Sequence, residues 1–467
     1  MNIQDTICAI ATAQGGAIGI IRVSGPDALT VTDRIFRPTG TNPRPLSERE
    51  PYTLTFGTIV DPVTSEPIDE VLVSLFRAPR SYTGEDATEI SCHGSSYILQ
   101  RVLQLLIRYG CRAAGPGEFT QRAFLHGKMD LSQAEAVADL IASTSAASHR
   151  LAMNQMRGGF SRELAALRDQ LLHLTSLMEL ELDFSDHEEL EFADRSELSA
   201  LTRRIEEVIR RLVHSFRMGN AIKNGIPVAI IGATNAGKST LLNALLNEDK
   251  AIVSDIHGTT RDVIEDTMVL NGILFRFIDT AGIRETSDRI EALGIERSFK
   301  ALQQADIVLL MYDLERGETA FRSFYDEVAP YLQDKQVVLV MNKCDKAAAP
   351  SSLPSFLDAS GCHWYPLAVS ARERLHIDEL QSLLLRLAAI PELSAADVIV
   401  TNLRHYEALS HALEAIRRVQ DGLESGLPGD LVSQDLRECI YYLSDIVGEV
   451  TTDQVLSNIF SHFCIGK

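Results

Sequence analysis

The sequence lacks the features of a secreted, disulfide-stabilised or membrane-spanning protein. It contains no run of about 18 apolar residues that could cross a bilayer. No basic segment precedes its first apolar stretch, as one would in a signal peptide. The 7 cysteines are odd in number and none stands in a CxxC spacing, which argues against disulfides and structural zinc. We expect a cytoplasmic protein with no membrane association.

Positive charge is also scarce. The 467 residues include 44 Lys and Arg against 64 Asp and Glu, which gives a formal net charge of -20. Phosphate contacts need clustered Lys and Arg, so a chain this acidic binds nucleic acid poorly by itself. Any contact with RNA must use a local basic patch or a partner protein.

The patterning of apolar residues changes along the chain and predicts several domains. Residues 1–120 alternate short apolar strands with helical stretches, which predicts an α/β domain. Residues 121–218 and 385–467 carry apolar side chains at three- and four-residue spacing, typical of amphipathic helices. Between them, residues 219–384 alternate buried-looking strands with helices. This pattern predicts an α/β unit inserted into a helical domain.

A phosphate-binding loop stands at the start of the inserted unit. An apolar strand, residues 228–231, leads into GATNAGKS and then into an apolar helix. This is the GxxxxGK[ST] motif in its required strand–loop–helix setting. Backbone N–H groups and the helix N-terminus favour phosphate, Lys238 should reach the β- and γ-phosphates, and the Ser239 hydroxyl should bind Mg²⁺. The predicted contacts here are Asn235, Ala236, Gly237, Lys238, Ser239 and Thr240.

Further motifs select guanine over adenine. In the NKCD sequence, the Asp345 carboxylate can accept hydrogen bonds from two adjacent N–H donors of guanine, a pattern that adenine does not offer. Asn342 and Lys343 belong to the same motif, and Ser370 and Ala371 form the SA motif that supports it.

Two more segments should surround the γ-phosphate. The DTAG sequence, whose glycine N–H senses this phosphate, comprises Asp279, Thr280, Ala281 and Gly282. A switch segment should complete the Mg²⁺ shell through Thr260, and its predicted contacts are Ser254, Asp255, Ile256, His257, Gly258, Thr259 and Thr260.

One expected residue is missing after the DTAG motif. Ras-like GTPases place a glutamine there to orient the attacking water, whereas this chain has Ile283. Either hydrolysis is very slow, or another group supplies this chemistry.

Motifs outside the nucleotide site carry a family resemblance. The chain contains IGIIRVSG, SYTGEDATEISCHG, GPGEFTQRAFLHGKMDLSQAEAVADLI and a final FCIGK, together with GATNAGKST, SDIHGTTRD, DTAGIRE and NKCD. Over essentially its whole length it resembles the MnmE (TrmE) family of tRNA-modification GTPases, within the Era-related group. The flanking motifs matter most, because ribosome-assembly relatives share the GTPase motifs.

The resemblance implies an architecture, a reaction and partners. The fold is predicted to be multidomain α/β and all-α, with a Ras-like P-loop GTPase domain inserted into a helical domain and preceded by an N-terminal α/β folate-binding domain. The protein is expected to be a homodimer through that first domain. With the partner protein MnmG and its FAD, it is expected to add an aminomethyl or carboxymethylaminomethyl group at carbon five of the wobble uridine of certain tRNAs. The one-carbon donor would be 5-formyltetrahydrofolate or a related tetrahydrofolate.

The resemblance also implies roles for individual residues. Folate would contact Arg22, Glu89, Lys128 and Lys467, although a surface charge pair is the alternative for Arg22 and Glu89. Glu291 and a K⁺ ion would replace the missing glutamine, and Cys464 would act in tRNA modification. The K⁺ ligands would be Asn235, Ser254, Ile256 and Thr259.

Two alternative interpretations assign this protein to other functional classes. A ribosome-assembly GTPase would need an added basic RNA-binding domain, which the acidic C-terminal half does not offer. A dynamin-like or lipid-anchored membrane protein is suggested by Cys464 near the end of the chain. However, a prenylation signal does not end in lysine, as this chain does at Lys467.

Overall fold

A computed structural model gives the structure of most of the chain. It describes residues 4–13, 15–40, 44–183, 195–246, 266–278, 302–333, 335–350, 353–354, 356–357, 362–388, 398–450, 452–461 and 463–466. Within these ranges no helix is both long and apolar enough to cross a membrane. The chain divides into two compact units: the first comprises Met1–Ala142, Ala152–Ile209 and Glu407–Lys467, and the second comprises Ser143–Leu151 and Arg210–Tyr406.

The first unit contains a seven-stranded sheet. Its strands are β1 (Ile7–Ile10), β2 (Ile18–Ser24), β3 (Phe36–Pro38), β4 (Leu54–Val60), β5 (Pro67–Phe76), β6 (Ala87–His93) and β7 (Arg112–Ala113). They lie in the order β3-β4-β5-β6-β2-β1-β7, and neighbours are antiparallel except for β1 and β7. The apolar runs at residues 17–23, 52–60, 70–76 and 88–92 predict β2, β4, β5 and β6 to within a few residues.

The two faces of this sheet differ. Helices α1 (Ala28–Ile35) and α2 (Ser96–Arg108) pack against one face and bury its side chains in a single core. Successive side chains of a strand point to opposite faces, so the alternating burial along β4 and β5 leaves every second residue outside that core. The outer face therefore carries exposed apolar side chains.

Helices complete the first unit. The bounds are α3 (Glu118–Leu125), α4 (Leu131–Ala142), α5 (Ala146–Met156), α6 (Gly159–Asp183), α7 (Arg195–Asn224), α11 (Leu403–Glu424), α12 (Gly429–Val447) and α13 (Asp453–Ser461). Of these, α5, α7 and α11 contribute residues to both units. The three- and four-residue apolar spacing within residues 121–218 predicts a buried stripe on α6. This is confirmed, because Leu164, Leu167, Leu171, Leu174 and Met178 are all buried.

The second unit contains a six-stranded sheet in the order β13-β12-β11-β8-β10-β9. Its elements are β8 (Ile226–Gly232), α8 (Lys238–Leu246), β9 (Asp266–Leu270), β10 (Ile273–Phe277), β11 (Ile307–Asp313), α9 (Gly317–Val328), β12 (Gln336–Asn342), β13 (His363–Val369) and α10 (Ile377–Ala388). All neighbouring strands are parallel except the β9–β10 hairpin. Asn271 and Gly272, both at positive φ, form its two-residue turn.

The arrangement of this sheet positions the site. Helices α8 and α10 cover one face, and α9 covers the other. With both faces covered, β8, β11 and β12 are almost continuously apolar, as expected for central parallel strands. The carboxyl ends of these strands meet at one edge, where ligands bind in open α/β sheets. The mixed α/β and helical fold class predicted from the sequence is confirmed, whereas the domain boundaries at 120, 218 and 384 stay predictions.

Candidate nucleotide-binding site

The phosphate loop lies between the end of β8 at Gly232 and the start of α8 at Lys238. Asn235 and Gly237 have φ angles of 64° and 99°, in the left-handed region that favours glycine. A Cβ atom at Gly237 would collide with the Asn342 side-chain nitrogen. Gly237 is thus required by its backbone conformation and by the close approach of the base-reading motif.

The Lys238 side chain folds back over this loop. Its Nζ donates to the carbonyl oxygens of Gly232 at 2.7 Å and Ala233 at 3.1 Å. Burial lowers the pKa of Lys238. The first turn of α8, which also carries Ser239 and Thr240, presents backbone N–H groups at the positive end of the helix dipole. A half-buried cation beside a helix N-terminus suits an anionic ligand.

The Asn342 side chain joins three of the predicted motifs. It is 3% exposed at the end of β12. Its Nδ2 donates to Ala236 O of the phosphate loop at 2.9 Å, and its Oδ1 accepts from Ala371 N at 3.0 Å. One buried amide therefore connects segments more than 100 residues apart in the chain.

The rest of the NKCD segment forms a tight turn beside Asn342. Cys344 N donates to Val369 O of β13 at 3.1 Å, and Ser370 and Ala371 at the end of that strand are buried. Asp345, the predicted guanine reader, is exposed. The structure thus places the Asn342, Lys343, Asp345, Ser370 and Ala371 segments together at the strand ends.

Two carboxylates at this edge were missed by sequence reasoning. The Nζ of Lys343 donates to Asp313 Oδ2 at 2.7 Å and to Glu315 Oε2 at 2.9 Å. Asp313 ends β11, the strand beside β12. The signal available in the sequence was an acidic residue directly after a buried strand, because neighbouring parallel strands bring such residues to one edge.

Several predicted residues lie outside the described ranges. These are Ser254, Asp255, Ile256, His257, Gly258, Thr259, Thr260, Asp279, Thr280, Ala281, Gly282, Glu291 and Lys467. Their predicted roles stay predictions.

A second cluster, in the first unit, surrounds Arg22. The Arg22 and Glu89 side chains form an ion pair at 2.8 Å across neighbouring strands β2 and β6, and they are 20% and 26% exposed. The Arg22 guanidinium lies 5.4 Å from the ring centre of Tyr82 and 5.6 Å from that of Phe119. This charge pair against two aromatic rings provides both a polar and a stacking surface.

The end of the chain docks beside this cluster. Cys464 O accepts from Gly117 N at 3.3 Å, Ile465 forms a β-bridge with Pro116, and Gly466 O accepts from Arg22 Nη1 at 3.4 Å. The Cys464 side chain is exposed. Three of the predicted folate and tRNA-modification residues, Arg22, Glu89 and Cys464, therefore belong to neighbouring segments.

Lys128 occupies a different position. Its Nζ donates to Pro79 O at 2.9 Å, and its stem lies beside Gly84, so it contacts the two ends of the loop that carries Tyr82. The described contacts connect Lys128 to the Arg22 cluster through that loop and not directly.

Comparison with known proteins gives a consistent picture over the whole chain. The family model of the MnmE helical domain matches residues 131–464, and that of the GTP-binding protein TrmE N-terminus matches residues 6–128. The tRNA modification GTPase MnmE of Parabacteroides distasonis is 70% identical over 466 residues, covering 99% of this chain and 100% of the relative. The protein of the same name from Bacteroides thetaiotaomicron is 64% identical over 470 residues, covering 99% of this chain and 100% of the relative. That from Flavobacterium johnsoniae is 50% identical over 468 residues, covering 99% of this chain and 99% of the relative.

Proposed function

We propose, since the chain belongs to the MnmE (TrmE) family of tRNA modification GTPases, that it hydrolyses GTP in its second unit and takes part in modifying tRNA. The observation that carries the GTPase assignment is the Asn342 amide, which joins the phosphate loop, the base-reading turn and the SA motif through two hydrogen bonds. These are the segments that must close around one guanine nucleotide.

Roles within the nucleotide site follow from position and chemistry. Lys238 would exchange its loop carbonyl partners for phosphate oxygens, and Asp345, exposed at the strand edge, would accept from guanine. A Mg²⁺ ion fits this donor set because the Ser239 hydroxyl is an oxygen ligand and stands in the first turn of α8, beside the phosphate loop. Ser239 and Thr260 would hold the ion, which when bound offsets the negative charge of the phosphates.

We further propose that GTP turnover requires K⁺ and Glu291. Asn235, held at positive φ in the phosphate loop, and Ser254, Ile256 and Thr259 would hold the ion, while Glu291 would orient the attacking water that Ile283 cannot. Turnover is expected to be about 10²-fold slower in sodium than in potassium, and comparably slow in Glu291→Ala. The measurement is GTP hydrolysis in matched salts, with Glu318→Ala, an exposed residue at the start of α9, as control.

Equal rates in the two salts would remove K⁺ from the mechanism. A Glu291→Ala protein as active as Glu318→Ala would remove Glu291.

The modification reaction is assigned to the first unit. Arg22, Glu89, Lys128 and Lys467 would bind 5-formyltetrahydrofolate or a related folate, since the Arg22 cluster offers a cation for the folate carboxylates and two rings for stacking. MnmG, with its FAD, would be the partner in a hetero-oligomer, and the product would be the (carboxymethyl)aminomethyl group at carbon five of the wobble uridine. Cys464 would act at this site, where the chain end lies.

Removing residues 464–467 is expected to abolish the modified nucleoside and weaken folate binding, while GTP turnover stays near normal. The reason is that the tail lies against first-unit segments, among them those of Arg22, Pro116, Gly117 and Ile10. Mass spectrometry of wobble nucleosides from cells carrying the variant, with calorimetric titration of 5-formyltetrahydrofolate, measures both effects.

A Cys464→Ser variant is the matched control, because it removes only the thiol and keeps the rest of the tail. It should still bind folate. An unchanged nucleoside profile in the truncated protein would contradict the tail's role, and loss of GTP turnover as well would indicate misfolding instead.

The outer face of the first-unit sheet supports the proposed homodimer. Ile18, Leu54, Phe56 and Leu72 on this face are 66%, 67%, 48% and 43% exposed. Phe56 pairs with Leu72 across β4 and β5, so their side chains adjoin. Contiguous exposed apolar side chains mark association surfaces in soluble proteins.

A Phe56→Asp variant is expected to be monomeric at micromolar concentration, because a carboxylate would be buried against an apolar partner. Light scattering after size-exclusion chromatography gives the mass. Tyr97→Asp is the control, since Tyr97 is 69% exposed on α2, which packs against the opposite face. A dimeric Phe56→Asp protein would move the interface elsewhere.

A further inference from the structure

The Asp313 carboxylate is a buried acidic group that the sequence motifs do not account for. Its side chain is only 5% exposed, at the carboxyl end of β11. Oδ2 accepts from Lys343 Nζ at 2.7 Å, and Oδ1 accepts from Glu315 N at 3.0 Å. The second bond fixes the orientation of the carboxylate, so that one oxygen is directed at the lysine of the base-reading turn.

Lys343 is held in an unusual backbone conformation. Its φ angle is 69°, in the left-handed region that disfavours residues with a Cβ atom. Such conformations persist when surrounding contacts determine them, and they concentrate at functional sites. Here the Lys343 carbonyl accepts from Lys346 N at 3.0 Å, and the ammonium is held by Asp313 and Glu315.

The electrostatics agree with a persistent ion pair. Burial lowers the pKa of Lys343, but the hydrogen bonds to Asp313 and Glu315 outweigh it, so the pKa is raised overall. Of the two carboxylates, Asp313 is the buried one, whereas Glu315 is 41% exposed. Charged hydrogen bonds are stronger away from solvent, so Asp313 is the main anchor.

The neighbouring Asp345 has no such anchor. Across the described ranges, no hydrogen bond or ion pair fixes its carboxylate, which is exposed two residues after Lys343. The direction of Asp345 is therefore set by the backbone of the turn. The hydrogen bonds of Asn342 to Ala236 and Ala371 fix the start of this turn. The ion pair with Asp313 fixes Lys343, the next residue.

We propose that Asp313 is a positioning residue for guanine recognition: by holding Lys343 in its left-handed turn, it sets the direction in which Asp345 meets the base. This inference rests on the proposed GTP-binding function and extends it to a residue outside the nucleotide motifs. Asp313 acts through Lys343 and does not itself contact the base.

The test compares nucleotides that differ by the group Asp345 reads. Inosine diphosphate lacks the 2-amino group of guanosine diphosphate, so the ratio of the two dissociation constants reports on Asp345. Asp313→Asn keeps the shape of the side chain and removes its charge. We expect it to weaken binding of guanosine diphosphate about tenfold and to reduce the preference over inosine diphosphate. Asp306→Asn, at a half-exposed site just before β11, is the control and should match the parent.

A second variant separates positioning from folding. If Asp313 acts through Lys343, then Asp313→Asn combined with Lys343→Met should bind no more weakly than Lys343→Met alone. Additive losses, or weaker binding of both nucleotides at an unchanged ratio, would overturn the inference and leave the GTPase assignment intact. A parent protein that binds no guanine nucleotide would instead overturn the proposed function, and the inference with it.

Discussion

An Arg122→Met variant is expected to lose about 3–5 kcal/mol of unfolding free energy in the first unit. Arg122 is 2% exposed, and its guanidinium donates to Asp5 Oδ1 at 2.6 Å, Glu85 Oε1 at 3.0 Å and Glu118 Oε1 at 3.2 Å. Glu85 and Glu118 are themselves buried. Removing the cation leaves buried carboxylates without the positive charge that balances them. The free energy lost in this way is larger than the net stabilisation from the intact ion pairs.

Native-state hydrogen exchange in β2 and β6 measures this loss. The control is Arg108→Met: Arg108 is 56% exposed and lies 3.7 Å from Asp61, so its loss should cost about 1 kcal/mol or less. A loss of that small size in Arg122→Met would show that the cluster does not stabilise the unit.

The same cluster gives the first unit a defined response to acid. The hydrogen bond from Arg112 lowers the pKa of Asp5 below its usual 3.8. Burial raises the pKa of Glu118, but hydrogen bonds from Arg112 and Gly115 outweigh it and hold this pKa below 4.5. Carboxyls with lowered folded pKa values stabilise the fold above their unfolded values, and that stability is lost as the pH falls through the folded values. The protection factors of the β2 and β6 amides, which correct for the slower intrinsic exchange in acid, should therefore fall when the pH drops below those usual values.

A Gly237→Ala variant is expected to bind GTP at least about 100-fold more weakly than the parent. Two costs combine: φ at this position is 99°, and the added Cβ atom would collide with the Asn342 Nδ2. To relieve the collision, the Asn342 side chain must move, which breaks its hydrogen bonds to Ala236 and Ala371. The phosphate loop and the base-reading turn would then separate, so affinity should fall for GTP and GDP alike.

Equilibrium binding of a fluorescent GTP analogue measures the effect. Gly317→Ala is the matched control, because Gly317 also has a positive φ, 74°, in the same unit but no atom within 4 Å of its added Cβ. It should show the backbone cost alone, about 1–2 kcal/mol of stability, with normal affinity. Equal binding by the two variants would mean that the Asn342 contact is not needed for nucleotide binding.

How far the sequence predicted the site depends on how local each feature is. The phosphate loop, NKCD and the SA motif are short segments whose chemistry is read residue by residue, and their strands and helices follow from apolar patterning. The α6 stripe from Leu164 to Met178 was predicted for the same reason, since its spacing alone defines the buried face. The roles of Glu291, the K⁺ ligands and Lys467 stay predictions.

Other features depend on which distant segments meet. Arg122 lies in GEFTQRAF, where nothing local marks it as a buried cation, and its partner Asp5 is 117 residues away. The docking of the chain end at Gly117 is of the same kind, because it joins the last residues to the first domain.

The sequence by itself determined the guanine-nucleotide motifs, the α/β or helical class of each segment and the family, because each of these depends on the local order of residues. Only the tertiary structure decided that Asn342 bridges the phosphate loop and the SA motif, that Asp313 holds Lys343, and that Arg122 gathers three carboxylates. The physical reason is that hydrogen bonds and ion pairs between distant segments depend on sheet order and register. Those are set by packing of the whole unit and not by the spacing of residues in any one segment.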